Sequence, residues 1–278
     1  MFYKAMNYPV PEEHGYYRYI NEDYQGHYPI KNHQNKTFSW KDQNNLMKSY
    51  KKFLCEHMGF LSYIPFIEQI YLCNSITFNA LHPGSDIDLC IVSKPGYLWY
   101  ARAWSWLFFS LLKLKRSAQI GDHSFKFCLS FYIDGDHTNL INLRNPQGDV
   151  YLSYWLAHTV LLYTTHHYPD NHLHKTNKQL LSYLPNHPDE QTIFLGIPVY
   201  SQKGNIANMI EKIFSTLPGK LLQHIIERLR GGIINTYKTS KLPPHTKEYI
   251  ITSSTILKFY TDKRVLYQHK RKTASRKK

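Results

Sequence analysis

Two aspartates one residue apart, Asp86 and Asp88, stand within the stretch NSITFNALHPGSDIDLCIV at residues 74–92. In a β-strand, side chains two residues apart point to the same face, so both carboxylates would project side by side. Neighbouring carboxylates repel each other and tend to share a proton unless a cation or a cationic side chain stabilises their charges. They are also hard oxygen ligands, and the pair therefore predicts a site for Mg²⁺ or Mn²⁺.

The residues around this pair are candidates for phosphate binding. A turn signal at Gly84 delivers the chain into the aspartate strand. Asn74 and Ser75 follow another predicted strand, where a short helix could begin and present free N–H groups to a phosphate. We therefore take Asn74, Ser75, Gly84 and Ser85 as the candidate nucleotide-binding or phosphate-binding residues. For Ser85 a structural role in the turn is the favoured alternative, and for Ser75 capping of the short helix is compatible with phosphate binding.

Hydrophobic periodicity predicts the elements that must position these residues. Apolar residues recur at helical spacings over residues 44–64, and a long apolar helix is expected over 97–114. Strands are expected at FIEQIYLC (66–73), DIDLCIV (86–92) and FKFCLSFYI (125–133), the last with strict alternation and one buried face. Alternating strands and helices predict an α/β (α+β) sheet with flanking helices.

The remainder of the chain is expected to be mainly helical. Helices are predicted over residues 149–163 and 205–230, the second broken at Pro218, and another over 251–269. The resulting division is an irregular aromatic and polar leader (1–43), the α/β domain (44–165), a linker (166–200), a helical carboxy-terminal region (201–262) and a basic tail (263–278).

Charge and cysteine usage narrow the class of protein. The 34 Lys and Arg against 20 Asp and Glu give a net charge of +14, which attracts polyanions such as nucleotides and RNA. The basic tail is either a solvated terminus or an arm that grips phosphates. The 4 cysteines include no CxxC pair, which disfavours a disulfide scaffold or a structural zinc site and favours a reducing compartment. Because the start lacks the features of a secretory signal, we expect a cytoplasmic protein.

Two further readings of the sequence are less favoured. Residues 97–114 approach the length of a membrane span, but Arg102 and Lys113 within them favour a helix buried against the sheet. The histidines between His158 and His174 lack the spacing of a zinc site, which favours a polar segment.

Arg102 and Lys126 lie on elements that flank the aspartate strand. Each is a candidate either for contact with a triphosphate or for a solvated position.

The motif around the aspartates resembles that of the DNA polymerase β nucleotidyltransferase superfamily. That pattern is a strand ending in Gly and then Gly or Ser, a spacer, and Asp, an apolar residue and an acid opening the next strand. Here Ser75 fills the second position, ten residues separate it from Asp86, and Asp86-Ile87-Asp88-Leu89 completes the motif. Residues 45–160 are also similar to an uncharacterised group of bacterial nucleotidyltransferase-domain proteins.

The resemblance implies a specific reaction. Asp86 and Asp88 would bind two Mg²⁺ ions, and Ser75 and nearby N–H groups would hold the β- and γ-phosphates of a nucleoside triphosphate. A hydroxyl acceptor would attack the α-phosphorus, and pyrophosphate would leave. The basic charge of the chain favours RNA as the acceptor, with a small metabolite or a protein hydroxyl as the alternatives. The resemblance also implies a small mixed sheet. Two departures stand out: Asn74 replaces the usual Gly, and no acid lies mid-strand in FKFCLSFYI. Either catalysis uses two carboxylates alone, or Asp134 or Asp136 serves as the third. The alternative is a catalytically degenerate module that binds nucleotide or RNA.

Overall fold

The first half of the chain alternates strands and helices around the DIDL segment, as its hydrophobic pattern predicts. In the computed structural model, the described residues are 30–31, 37–38, 40–78, 80–117, 122–144, 150–182, 196–219, 221–229 and 251–258. In chain order the strands and α-helices are β1 (Ile30–Lys31), β2 (Thr37–Phe38), α1 (Trp40–His57), β3 (Ile67–Cys73), β4 (Ile87–Ser93), α2 (Leu98–Leu111), β5 (Phe127–Asp134), α3 (Val150–Ala157), β6 (Val160–Thr164), α4 (His172–Thr176), α5 (Lys178–Leu181), α6 (Asn205–Phe214), β7 (Ile251–Thr252) and β8 (Ile256–Lys258). Short 3-10 segments occur at Met58–Tyr63, Gly135–His137 and Ile141–Leu143.

A mixed sheet of six strands carries the aspartate motif at its centre. The strand order is β6-β3-β4-β5-β8-β7, and β4 is antiparallel to β3 but parallel to β5. A parallel pair needs a crossover connection, and α2 provides it between β4 and β5. The mixed α/β sheet with flanking helices is therefore confirmed.

Helices cover both faces of this sheet. One layer contains α1 and α2, and there Tyr50 and Phe109 pack with strand residues such as Leu89. The other layer contains α3, α4 and α5, and there Trp155 packs with strand residues such as Cys90. Strands buried on both faces are mostly apolar, which explains the hydrophobic run of β4, whereas β3 also buries Glu68 and Gln69.

β5 departs from the predicted alternation. Phe127 packs in the layer of α1 and α2, whereas Phe131 and Ile133 pack in the opposite layer with α3. The register with β4 shifts between Asp88 and Cys90, where β5 contributes an extra residue. Such a bulge reverses which face the following residues occupy. The prediction of a single buried face along this strand is therefore wrong.

Two predicted helices contain strands instead. The helix expected over 149–163 ends at Ala157, and β6 follows it and pairs with β3. The described part of the helix expected over 251–269 consists of β7 and β8, and β8 pairs with β5. In both places strand pairing at an available sheet edge overrides a helical pattern in residues rich in β-branched side chains.

The prediction for residues 205–230 is closer to the structure. α6 ends at Phe214, and helix resumes over 217–219 and 221–229. Pro218 lies in the first turn of the resumed helix, where its missing N–H is not needed.

The predicted linker also contains helices, because α4 and α5 lie within it and bury Leu173 and Leu180. The basic tail at 263–278 lies outside the described residues.

The long apolar helix of the sequence is α2, which spans 14 residues. Its Trp99, Tyr100 and Phe109 are buried in the layer that it shares with α1. Among the described residues, no helix combines the length and the apolar character needed to cross a bilayer. Packing against the sheet accounts for the apolar residues on the buried face of the helix, whereas Trp106, Leu107 and Leu111 are exposed.

Candidate functional site

Asp86, Asp88 and Cys128 bring their side chains together at the start of two neighbouring strands. Asp86 directly precedes β4, Asp88 lies within it, and Cys128 of β5 pairs with Asp88 in parallel register. One ligand atom from each of the three lies within 4.8 Å of the others. The spacing of the two aspartates therefore places them together, as their alternation in a strand predicts. We call this group the Asp-Asp-Cys cluster.

Arg116 is the cationic partner that the aspartate pair requires. Its Nη1 lies 2.6 Å from Asp86 Oδ2 and 4.0 Å from Cys128 Sγ. The backbone positions it, because Arg116 N donates to Phe127 O at 2.9 Å and Phe127 N donates to Leu114 O at 2.7 Å. The segment after α2 thus runs beside the start of β5 and directs the guanidinium to the cluster.

Sequence reasoning missed Arg116 and selected other basic residues. Arg102 of α2 lies near Tyr132 in the layer that contains α1 and α2, with its guanidinium carbon 5.6 Å from the ring centre. Lys126 Nζ donates to Lys113 O at 2.8 Å. The available signal was the basic run KLKR at 113–116, which falls between the long helix and the strand that pairs with β4.

Burial and nearby charges shift the pKa values of Arg116 and Cys128. Burial of Arg116 lowers its pKa, but the charges of Asp86, Cys128 and Asp88 and the hydrogen bond to Asp86 together outweigh burial, so that the pKa of the guanidinium is raised overall. Burial raises the pKa of the Cys128 thiol well above its ordinary value, and the charges of Asp88 and Asp86 add to this effect. Cys128 is therefore a protonated thiol at neutral pH, and its Sγ lies 3.1 Å from Ser130 Oγ.

A tight turn over residues 74–78 follows β3 directly beside the cluster. Cys73, the last residue of β3, pairs with Asp88, so the turn begins next to the carboxylates. Phe78 N donates to Asn74 O at 2.9 Å, and the segment forms a turn rather than the short helix expected from the sequence. Ser75 is partly exposed in this turn.

Asn74, at the position where the motif that this sequence resembles usually has glycine, adopts a left-handed backbone conformation. Its φ is +62°, in the left-handed region that asparagine tolerates better than most residues. Its Oδ1 is buried and has no hydrogen-bond partner among the described residues. The departure from glycine is therefore compatible with the turn.

Gly84 and Ser85 build the turn that precedes Asp86. Gly84 has a φ of +84° and donates its N–H to Ser124 Oγ at 3.2 Å. Ser85 Oγ accepts from His82 N at 3.0 Å, and Ser85 O accepts from Tyr50 Oη at 2.5 Å. Both residues hold the aspartate segment in place, which is the structural role favoured for Ser85.

Asp134 does not lie with the aspartate pair. It pairs with Ser93 at the other end of β4, is only 3% exposed, and accepts from Gly96 N at 2.7 Å through Oδ2. Its Oδ1 lies 3.2 Å from Asp136 N and 3.2 Å from His137 Nδ1. Because of the bulge in β5, Asp134 and Cys128 do not share a face of the strand. The hydrogen bonds of Asp134 hold the loop before α2 in place. The prediction of Asp134 or Asp136 as third carboxylate is therefore wrong, since Asp136 lies directly beyond Asp134 in the Gly135–His137 segment. Cys128 lies beside the aspartate pair instead.

The histidine-rich segment has structural contacts. His158 Nδ1 lies 2.8 Å from Tyr154 O, and His174 Nε2 lies 2.9 Å from Leu156 O and 3.1 Å from Thr159 Oγ1. Among the described residues, the Asp-Asp-Cys cluster is the one group of His, Cys, Asp and Glu side chains with the geometry to hold a metal ion.

Comparison with family models, with curated proteins and with solved structures finds no match to this chain. The resemblance to the nucleotidyltransferase superfamily, which depends on the sequence motif, therefore stays a prediction.

Proposed function

We propose that this chain is a divalent-metal-dependent nucleotidyltransferase that moves a nucleoside monophosphate from a nucleoside triphosphate to an acceptor. The observation that carries the proposal is the convergence of Asp86 and Asp88 in the Asp-Asp-Cys cluster, with all three ligand atoms within 4.8 Å. The turn at 74–78 begins beside them, because Cys73 pairs with Asp88. Carboxylates and a turn with a partly exposed serine thus lie side by side, as metal and phosphate sites must in this reaction.

The donor set of the cluster fits a divalent cation. Two carboxylates are hard ligands of the kind that Mg²⁺ and Mn²⁺ prefer, and Asp86 and Asp88 would hold the ion. A positive charge is already accommodated there, since Arg116 Nη1 lies 2.6 Å from Asp86 Oδ2. A bound ion would share Asp86 with this guanidinium or displace it.

The reaction is an in-line displacement at the α-phosphorus. The oxygen of an acceptor hydroxyl bonds to that phosphorus and loses its proton to solvent, the bond to the bridging oxygen of the β-phosphate breaks, and pyrophosphate leaves. The metal, when bound, supplies electrostatic stabilisation of charge on the reacting oxygens. Ser75 and the N–H groups of its turn would hold the β- and γ-phosphates, and Arg116 would bind a phosphate oxygen once released from Asp86.

RNA is the acceptor that the charge of the chain favours. A net charge of +14 attracts a polyanion more strongly than it attracts a small neutral metabolite. A cytoplasmic location accords with this proposal, because all four cysteines are free in the structure, as in a reducing compartment.

The test uses the full-length protein with each of four α-labelled nucleoside triphosphates, Mg²⁺ or Mn²⁺, and total cellular RNA. We expect pyrophosphate release and transfer of label to RNA. Asp86→Asn and Asp88→Asn should each reduce the rate by about 10²-fold or more, the typical loss when a group that stabilises transition-state charge is removed.

Asp136→Asn is the matched control, because this aspartate is exposed and lies in the Gly135–His137 segment, away from the cluster. It should transfer label at the wild-type rate. The proposal fails if the wild type releases no pyrophosphate with any of the four triphosphates, or if the two cluster variants match the wild type.

A second candidate function is a nucleotide-binding or RNA-binding module without turnover. It is favoured by the pairing of Asp86 with Arg116 and by the presence of Cys128, not a carboxylate, beside Asp88. A module of this kind would bind nucleotide or RNA with the same affinity in Mg²⁺ and in EDTA. Calorimetry under both conditions, on a preparation that shows no label transfer, would select it over the enzyme.

A further inference from the structure

The third donor of the Asp-Asp-Cys cluster is sulfur rather than oxygen. Cys128 lies on β5 directly opposite Asp88, at the strand where the related superfamily commonly carries its third acid. Its Sγ belongs to the group of ligand atoms that lie within 4.8 Å of one another. The sulfur therefore lies where any ion held by both aspartates would meet it.

The Arg116 guanidinium already places a positive charge beside the donor atoms of the Asp-Asp-Cys cluster. A single guanidinium nitrogen lies 2.6 Å from Asp86 Oδ2 and 4.0 Å from Cys128 Sγ. The Arg116 side chain is 43% exposed, so it can withdraw into solvent without breaking a packed core. An incoming metal ion would therefore replace one positive charge with another at the same donors.

The mixed donor set has a predictable metal preference. Mg²⁺ favours oxygen ligands alone and binds thiolates poorly, whereas transition-metal ions towards the Zn²⁺ end of the first row accept sulfur well. In tetrahedral or similar sites Zn²⁺ combines thiolate and carboxylate ligands. Replacement of a carboxylate by a thiolate should thus shift selectivity away from Mg²⁺.

We propose that Asp86, Asp88 and Cys128 together bind a divalent transition-metal ion of the Co²⁺ and Zn²⁺ class, with the Cys128 thiolate as the ligand that sets this preference. On binding, the sulfur loses its proton to solvent and a sulfur–metal bond forms. Mg²⁺ would bind weakly through the carboxylates. The inference rests on the proposed function for the use of the ion, but the binding step needs no nucleotide.

The test titrates Co²⁺ alone into the full-length protein and records the thiolate-to-Co²⁺ charge-transfer absorption. The wild type should develop this band with one ion per chain, and excess Mg²⁺ should not remove it. Cys128→Ser should lose the band and weaken Co²⁺ binding by about tenfold or more, since even changes to outer partners of a metal ligand cost that much. Cys55→Ser is the matched control, because Cys55 is exposed on α1, and it should keep both the band and the affinity.

Two further measurements keep the inference testable if Cys128→Ser folds poorly. X-ray absorption of the wild-type protein loaded with Zn²⁺ should show one sulfur at about 2.3 Å. Cys128→Asp should lose the band and gain affinity for Mg²⁺. Absence of Co²⁺ binding, or binding without a sulfur signal, overturns the inference. A sulfur-ligated ion in a protein that transfers no label supports it and overturns the proposed function alone.

Discussion

Arg116 Nη1 donates to Asp86 Oδ2 at 2.6 Å, and this ion pair joins the segment after α2 to the residue that precedes β4. The two residues are 30 positions apart in sequence. Their contact depends on the pairing of the Arg116 backbone with the start of β5. The Arg116 guanidinium stabilises the charges of Asp86 and Asp88 without a metal ion. A metal ion that binds Asp86 would have to compete with this guanidinium.

Removal of the Arg116 charge should therefore affect metal and nucleotide in opposite directions. Arg116→Gln should bind Mn²⁺ or Co²⁺ about two- to fivefold more tightly, the range expected for one partly exposed ion pair, and should bind nucleoside triphosphate more weakly. Isothermal titration calorimetry measures both. Lys115→Gln is the control, since Lys115 lies over the Trp106 ring. Equal metal affinity in Arg116→Gln and wild type would show that the guanidinium does not compete.

Replacement of Asp134 should reduce stability but leave the cluster intact. Asp134→Ala removes the acceptor for Gly96 N and the partner of His137, which should lower the free energy of unfolding by about 1–3 kcal/mol. Urea denaturation measures this loss, and Co²⁺ titration should give the wild-type affinity. A loss of metal affinity in folded Asp134→Ala would contradict its separation from the Asp-Asp-Cys cluster.

Asn74 should tolerate glycine but not a β-branched residue. Its φ of +62° strains a residue such as valine by about 1–2 kcal/mol, whereas glycine adopts this conformation freely. Asn74→Gly should therefore unfold at nearly the wild-type urea concentration, and Asn74→Val at a clearly lower one. Equal midpoints for the two variants would mean that the turn at 74–78 relaxes to another backbone conformation.

Folding stability should decrease as the pH rises above the ordinary thiol pKa of 9.0. Burial raises the pKa of Cys73 and Cys90, so the folded chain holds thiol protons that the unfolded chain loses above that pH. The stabilisation is fully present below pH 9 and is lost as pH rises towards the folded pKa, at about 1.4 kcal/mol per pH unit for each such thiol.

Urea denaturation between pH 7 and pH 10, as a rough working range in which thiols ionise, measures this dependence. Cys90→Ala should show a shallower decline than the wild type, whatever its stability at neutral pH. Cys55→Ala, which changes an exposed thiol, should retain the wild-type slope. A wild-type curve that stays flat above the ordinary thiol pKa would contradict the role of burial.

Periodicity and motif spacing predicted the central elements correctly. α1, β3, β4, α2 and β5 lie where their hydrophobic patterns place them, and Asp86 and Asp88 project together as alternation in a strand requires. These features are local, because they depend on residues within a few positions of one another. The sequence pattern predicts helix for the residues of β6 and β8, and this prediction is wrong. Their strand structure depends on pairing with β3 and β5 rather than on their own hydrophobic pattern.

The sequence by itself determined the paired carboxylates, the turn before them and the alternating order of the first strands and helices. Only the tertiary structure decided which side chains complete the site: it placed Arg116 and Cys128 beside the aspartates and left Asp134 at the far end of β5. The physical reason is that partner choice across a sheet depends on strand order, on register and on one bulge. No spacing along the chain encodes those quantities directly, because they arise when distant segments pack on a common core.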